Sequence, residues 1–332
     1  MNEEHPFAEY VRILGKGKNG SRSLTQDEAY RAMGMILAGQ VEPVQLGAFL
    51  MLMRVKEESP DELAGFVRAA REAVHLPMNF PSVQLDWSSY AGKRRQLPWF
   101  LLSALLLAAN GVKIFMHGAG GPHARVYTPE TLRTLGIYEC PTFDEAARQI
   151  TSRNFAFMSL YYLSPKLDEI MKLRALLGLR SPVHTLSRMI NPCNAPVMLQ
   201  GIFHPGYRNI HQEAAALLGQ PHMIVLKGEG GEIERNPDGP CLVQTVHNGE
   251  MINEEWPAMF KGPRHLKDET MDVKRLPALW RGDIQDEYGE ATIVGTTAIA
   301  LKAMGTADSI DAAQAMAADM WKQRSTAWLN AA

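Results

Sequence analysis

The chain has 332 residues, 46% of them hydrophobic and 21% charged, with a net charge of −2. That length suggests two domains, or one large domain with a satellite, and permits a sizeable packed core. Three cysteines, Cys140, Cys193 and Cys241, lie far apart with no CxxC spacing, which argues against a zinc cluster or a disulfide framework and for a reducing, cytoplasmic compartment. The N-terminus has no apolar segment of signal-peptide type. The longest apolar run, Pro98 to Ala109, is well short of the ~20 residues that span a bilayer, so no membrane partner is expected.

The first 75 residues read as helices only. Thr25 and Glu28 have capping-box spacing, followed by Ala29, Met33, Ile36 and Leu37 at helical intervals. Gly39 ends that helix, and Pro43 suits the first turn of the next, which carries Leu46, Phe49, Leu50 and Met53. Ser59-Pro60-Asp61-Glu62 starts a third helix with Leu63, Phe66, Val67 and Ala70. Short amphipathic helices cannot bury their faces alone, so this unit needs a partner domain or subunit. After Pro77–Pro81 the texture changes to strand candidates 83–86, 112–115, 155–160, 223–227 and 241–246. The apolar helix 98–109 and helices 129–135 and 208–218 alternate with them. Such alternation means α/β with a mostly parallel sheet. Two helical pieces between 164 and 189, opened by Ser164-Pro165 and Ser181-Pro182, interrupt it.

Charge is uneven. Residues 1–225 hold 23 Lys and Arg against 19 Asp and Glu, and residues 226–332 hold 11 against 17. Three stretches carry bases and no acids: Val11–Gln26, Trp87–Pro129 and Met171–Gln212. They fit an anionic partner, with solvated surface as the alternative.

The run from Leu24 to Val74 is similar to the N-terminal helical domain of anthranilate phosphoribosyltransferases and the related pyrimidine nucleoside phosphorylases. LGLRSPVHTLSRMINP resembles the family segment LGxRTxFNxLGPLxNP, and GIFHPGY with the helix leading into VLKGEGGEIE resembles a third. The implied fold is a small all-helical N-terminal domain, 1–76, joined by the segment of about 164–189, plus a larger α/β domain of 80–163 and 190–332 with a mostly parallel central sheet. The resemblance also implies a homodimer formed through the N-terminal helices.

The departures fall where the family does its chemistry. The family's GTGGD phosphate loop lands on Ser88-Ser89-Tyr90-Ala91-Gly92, leaving one glycine, Gly92. Its NIST lands on Pro98-Trp99-Phe100-Leu101, and its metal-binding GLDE on Gly231-Glu232-Ile233-Glu234, with Ile233 replacing the aspartate. Glu232 could stand in for it only with a register shift. Magnesium requires hard oxygen ligands in strict geometry, so neither cofactor nor metal is expected. Gly92, His117, Gly118 and Glu234 are the remnants of the family cleft, and Arg180 matches the arginine that meets the anthranilate carboxylate. His117 is read as structural, because no carboxylate lies nearby in sequence to orient it as a base; His204 is read as capping or anchoring a turn.

The pattern is closest to a divergent branch, the YbiB-type proteins, understood to bind nucleic acid. The features that resemble it are the opening ILGKGKNGSRSL, the loop SYAGKRRQ, the MHG element and HTLSRM. The resemblance implies DNA-backbone contacts by Lys16, Lys18, Arg22, Lys93, Arg94, Arg95, Arg174, Arg180 and Arg188. Lys93-Arg94-Arg95 is the most informative cluster: a phosphate contact on an exposed loop, or a loop made soluble by charge. The expected function is non-catalytic, sequence-tolerant nucleic-acid binding. The alternative is a family-type glycosyl or phosphoribosyl transfer through a rebuilt loop, and a third reading is a small-anion sensor.

Overall fold

The computed structural model describes residues 3–121 and 124–330. Four helices open it: α1 (Ala8–Gly15), α2 (Gln26–Leu37), α3 (Pro43–Lys56) and α4 (Pro60–Glu72). Their starts are those the local chemistry dictates. Thr25 Oγ1 accepts from the Glu28 amide at 3.2 Å while Glu28 accepts from the Thr25 amide at 2.8 Å. Ser59 and Glu62 repeat the arrangement at α4. Phe49, Leu50 and Met53 bury completely against this chain's own helices, so they are not available to a second subunit. Leu46 is only partly buried there.

The α/β part contains β1 (Leu85–Ser89), α5 (Phe100–Ala109), β2 (Ile114–Gly118), α6 (Thr128–Thr134), α7 (Phe143–Arg153) and β3 (Phe155–Ser159). Short helices α8 (Leu160–Leu163), α9 (Pro165–Lys172), α10 (Arg174–Leu177) and α11 (Val183–Leu186) follow, and α11 packs on α4. Then come β4 (Val197–Gly201), α12 (Pro205–Leu217), β5 (His222–Leu226), the hairpin β6 (Cys241–His247) and β7 (Glu250–Trp256), and α13 (Arg275–Arg281), α14 (Glu287–Ala303) and α15 (Ile310–Gln323). The seven strands are ordered β3-β2-β1-β4-β5-β6-β7, with the first four pairings parallel and the last two antiparallel.

The sheet separates two cores. Leu85, Trp87, Ile114 and Met116 face α5 and α13–α15, while Phe115 and Met198 face the helical unit and α12. Asp86, Ser88 and His117 share that second face by register. Two expectations shift. The first strand runs over 85–89 rather than 83–86, because Trp87-Ser88-Ser89 is a central strand buried on both sides and shows no alternation. α1, β4, β7, α7 and α13–α15 have no counterpart in the expected elements. β7 carries Glu250, Glu254 and Glu255 on an exposed edge, and charges that block edge pairing make a strand read as a loop. Among the described residues no helix is long and apolar enough to cross a membrane.

Candidate functional site

The expected phosphate loop follows β1 and is closed by the chain's own carboxylates. Tyr90-Ala91-Gly92 turns at Gly92, whose φ of +65° is left-handed and whose Cα packs against the Tyr127 ring. The turn aims two backbone donors at one point, and Glu232 Oε1 accepts both, from Ala91 N at 2.6 Å and Gly92 N at 2.7 Å. Gly228 permits this approach, since a Cβ there would lie 1.5 Å from the Glu232 carbonyl oxygen. Glu234 does the same at the start of α5, accepting from Phe100 N at 3.0 Å. Two sets of amides that would suit an external anion are thus occupied from within.

Lys93 completes the network. Its Nζ lies 2.5 Å from Glu234 and 2.9 Å from Glu229, and the side chain is 1% exposed. Burial by itself lowers its pKa, but the two carboxylates outweigh that and hold the ammonium charged. Burial pushes Glu232 upward, opposed by the Ala91 amide, Arg188 and the Gly92 amide. This corrects the exposed-loop expectation. Lys93 is an internal counter-ion and not a nucleic-acid contact, because two carboxylates about 140 residues away already satisfy it. Arg94 and Arg95 are exposed. A magnesium site does not fit here: Ile233 offers no ligand, Glu234 is committed to Lys93 and Phe100 N, and Glu232 to the loop.

His117, expected to have no orienting carboxylate, has one in space. Its Nε2 stands 3.4 Å from Asp86 on the neighbouring strand, and Nδ1 is 2.7 Å from Tyr90 Oη. The pair is fully buried beneath the loop, so it supports Tyr90 rather than meeting solvent. Gly118 ends β2, where a Cβ would collide with Ser89 O at 1.9 Å. His204 stands at the N-cap of α12, but its side chain makes no capping bond and is exposed.

Beside the closed loop lies an open cleft of about 550 Å³ between α3, the 180–188 segment and the start of α12. Arg54, Arg180 and Arg188 line it, with Glu57 and Glu58 on the α3 side. Arg188 donates to His184 O at 2.5 Å and lies over the Tyr90 ring. Burial, then Arg174, Arg125 and Arg54, lower the Arg180 pKa, so four guanidiniums crowd one region. His184 registers the same field. Burial first, then Arg180 and Arg188, bring its pKa down to about 4. Among the described residues none of these five arginines is in an ion pair; Arg54 instead meets Tyr207 Oη, and Arg125 meets Ala91 O and Gly92 O.

The structure brings Arg180 and Arg188 of the expected set into the cleft, while Arg174 is exposed and not among its lining residues. It does not bring in the N-terminal loop. Arg22 is tied to Glu28 by two bonds of 2.7 Å, which corrects its reading as a free cation. Lys16 and Lys18 are exposed, and no hydrogen bond or ion pair among the described residues links them to 174–188. A stretch without acids along the chain is not acid-free in space. Arg54 and the Glu232 contact are features of this region that the sequence did not single out, and Arg125 figured there only as a base of the acid-free stretch Trp87–Pro129. The signal for the first was a lone arginine in an apolar helix, and Glu232 was visible only as a misaligned carboxylate.

The family model described as the glycosyl transferase family helical bundle domain matches residues 9–74, and that of the glycosyl transferase family a/b domain matches residues 100–326. An uncharacterized protein of Aquifex aeolicus is 32% identical over 248 residues, 73% of each chain. The anthranilate phosphoribosyltransferase of Burkholderia orbicola is 28% identical over 87% of this chain and 86% of that protein. Among solved structures, anthranilate phosphoribosyltransferase from Thermus thermophilus superposes with a TM-score of 0.80 at 23% identity, covering 98% of this chain and 100% of that one. The Saccharomyces cerevisiae enzyme in complex with PRPP and Mg gives 0.78 at 16%, covering 99% and 96%.

Proposed function

The chain belongs to glycosyl transferase family 3, and we propose, from the charge of its cleft and not from that membership, that the cleft binds the backbone of a nucleic acid, DNA in the first instance, without catalysing a transfer. The observation that carries this reading is the charge of the cleft: Arg54, Arg180 and Arg188 line it beside Glu57 and Glu58, and none of the three is in an ion pair among the described residues. Unpaired guanidiniums at a concave surface are a phosphate-binding arrangement. The closed loop supports the non-catalytic part, since a donor pyrophosphate would have to displace Glu232 from Ala91 N and Gly92 N. A cytoplasmic location fits the three free cysteines.

Fluorescence anisotropy with labelled single- and double-stranded DNA at several salt concentrations tests the reading. Log affinity should fall linearly with log salt, by roughly 0.7–0.9 per phosphate neutralised. Arg174→Ala with Arg180→Ala should weaken unrelated sequences alike and flatten the slope by about one unit per lost contact. A parent that binds neither DNA at low salt ends this reading.

A glycosyl or phosphoribosyl transfer to an unidentified substrate is the alternative reading, and the family match and the relatives back it better than they do nucleic-acid binding. The match over both family domains favours it, and Arg180 stands in the cleft where the family resemblance puts a carboxylate-binding arginine.

We also propose self-association through the N-terminal helices. Val44 and Val55 of α3 are 79% and 84% exposed, and apolar side chains so placed on a short helical unit are interface material. Light scattering should give a dimer at micromolar concentration; a particle of 36.9 kDa would refute it.

A further inference from the structure

A second basic cavity, of about 610 Å³, lies on the far side of the Glu229–Gly231 turn from the arginine cleft. Glu229 lines this cavity, while Gly230 and Gly231 line the cleft. One turn of 3-10 helix therefore borders both. Arg94, Arg95, Arg264 and Lys267 all line the cavity and are exposed, and none forms an ion pair among the described residues. Its two carboxylates are already engaged. Glu229 shares the Lys93 ammonium with Glu234, at 2.9 Å and 2.5 Å, and Asp238 holds His265 through Nδ1 at 2.6 Å and the backbone amide at 2.9 Å. The cavity thus sets four cations without an ion pair against two carboxylates that are already bonded elsewhere.

The wall that carries Arg264 and Lys267 is fastened to the loop that carries Arg94 and Arg95. Asp268 N donates to Arg95 O at 2.7 Å, Gln96 Nε2 to Leu266 O at 2.7 Å, and Leu97 N to Asp268 Oδ2 at 3.0 Å. Arg275 fixes Asp268 in turn at 2.7 Å. These contacts hold the two pairs of cations at a set separation. The rings of His265 and Tyr288, 5.3 Å apart, stand in the same wall, so flat π-faces lie beside the phosphate-binding charges.

We propose that this cavity is a second segment of the nucleic-acid path, and that a single strand leaving the arginine cleft crosses the Glu229–Gly231 turn and places its next phosphates on Arg94, Arg95, Arg264 and Lys267. The inference rests on the proposed binding of nucleic acid in the cleft. A single strand is the occupant because its bases are free to lie on the Tyr288 and His265 rings, whereas a duplex hides them in its stack. Sequence preference is not expected, since every base has a π-face and phosphates carry no sequence.

The test combines anisotropy with cross-linking on the full-length protein, using oligothymidylates of about 5 and about 20 residues, a range that brackets common single-strand site sizes. The variant is Arg94→Ala, Arg264→Ala and Lys267→Ala together. It removes no ion pair, and its melting curve should overlay the parent's. For the long oligomer the variant should lose at least tenfold in affinity and flatten the salt slope by about two to three units. The short oligomer, which the cleft alone accommodates, should bind both proteins alike. Photo-cross-linking of a long thiothymidine oligomer to the parent should label peptides from 257–268 as well as 174–204. If the parent binds the long oligomer, but the variant matches it in affinity and slope, or labelling is confined to 174–204, the second segment does not exist while the cleft reading stands. Duplex DNA bound as tightly as the single strand, with the same loss in the variant, overturns the choice of occupant. If the parent binds no oligomer, the cleft reading fails and this inference with it.

Discussion

Replacing Lys93 with methionine should destabilise the protein by about 3–5 kcal/mol, because removing one member of a buried ion pair leaves the other charge without compensation. Here the penalty falls on two carboxylates, Glu234 at 2.5 Å and Glu229 at 2.9 Å, around a side chain that is itself buried. At roughly 2 °C per kcal/mol for a protein of this size, the melting temperature should fall by roughly 6–10 °C. Adding Glu234→Gln should recover more than half of the loss. Glutamine keeps an oxygen to accept from Phe100 N, now bonded to Glu234 at 3.0 Å, and removes the stranded charge. The double-mutant cycle then measures the coupling directly. Arg94→Ala and Arg95→Ala, on exposed side chains one and two positions along, should each stay within about 0.5 kcal/mol of the parent. Equal, small effects at 93, 94 and 95 would mean that Lys93 is a surface residue and that the internal network does not form.

Glu232→Ala should open an anion site that the parent lacks. The substitution strips the shared acceptor from Ala91 N and Gly92 N, bonded at 2.6 and 2.7 Å, and leaves Arg188 without the nearby charge that raises its pKa. Stranding buried donors costs about 1–3 kcal/mol each, so the variant should melt earlier than the parent. Pyrophosphate fits the emptied slot, with two convergent amides and a guanidinium, and at about a hundredfold excess over its dissociation constant it should restore roughly 2.7 kcal/mol. Glu232→Gln keeps an acceptor oxygen in place and should leave the slot closed. Calorimetric titration of the three proteins with pyrophosphate, and with phosphoribosyl pyrophosphate plus magnesium, reads the outcome. Micromolar, magnesium-dependent binding of phosphoribosyl pyrophosphate by the parent would return the transferase reading to first place. No gain of pyrophosphate binding in Glu232→Ala would mean that the loop amides are not a usable anion site even when cleared.

The two largest effects sit on residues whose roles were not readable along the chain. Lys93 reads as one of three consecutive cations, with nothing local to separate it from Arg94 and Arg95. Glu232 reads as a carboxylate one position out of register. Asp86 lies 31 residues from the His117 ring that it faces, so a search of the neighbouring sequence for an orienter could not find it. Arg54 sits in an apolar helix and Arg125 after a glycine-rich stretch, and only folding puts them beside Arg180.

Legible along the chain were the helical opening, the α/β alternation, the mostly parallel sheet, the loss of glycines at 88–92 and the loss of polar residues at 98–101 and 233. Those features depend on periodicity and on capping groups within three or four residues of one another, as at Thr25 and Glu28, so they are legible locally. Which charges stay free is settled on folding. The Lys93–Glu234 and Ala91–Glu232 contacts each span 141 residues and exist because parallel strands β1, β4 and β5 bring their C-terminal ends to one edge. At that edge a buried ammonium must find carboxylates and buried amides must find acceptors, since leaving either unpaired costs several kcal/mol. The pairings follow from that requirement, and they leave Arg54, Arg180 and Arg188 lining the cleft without an ion pair among the described residues.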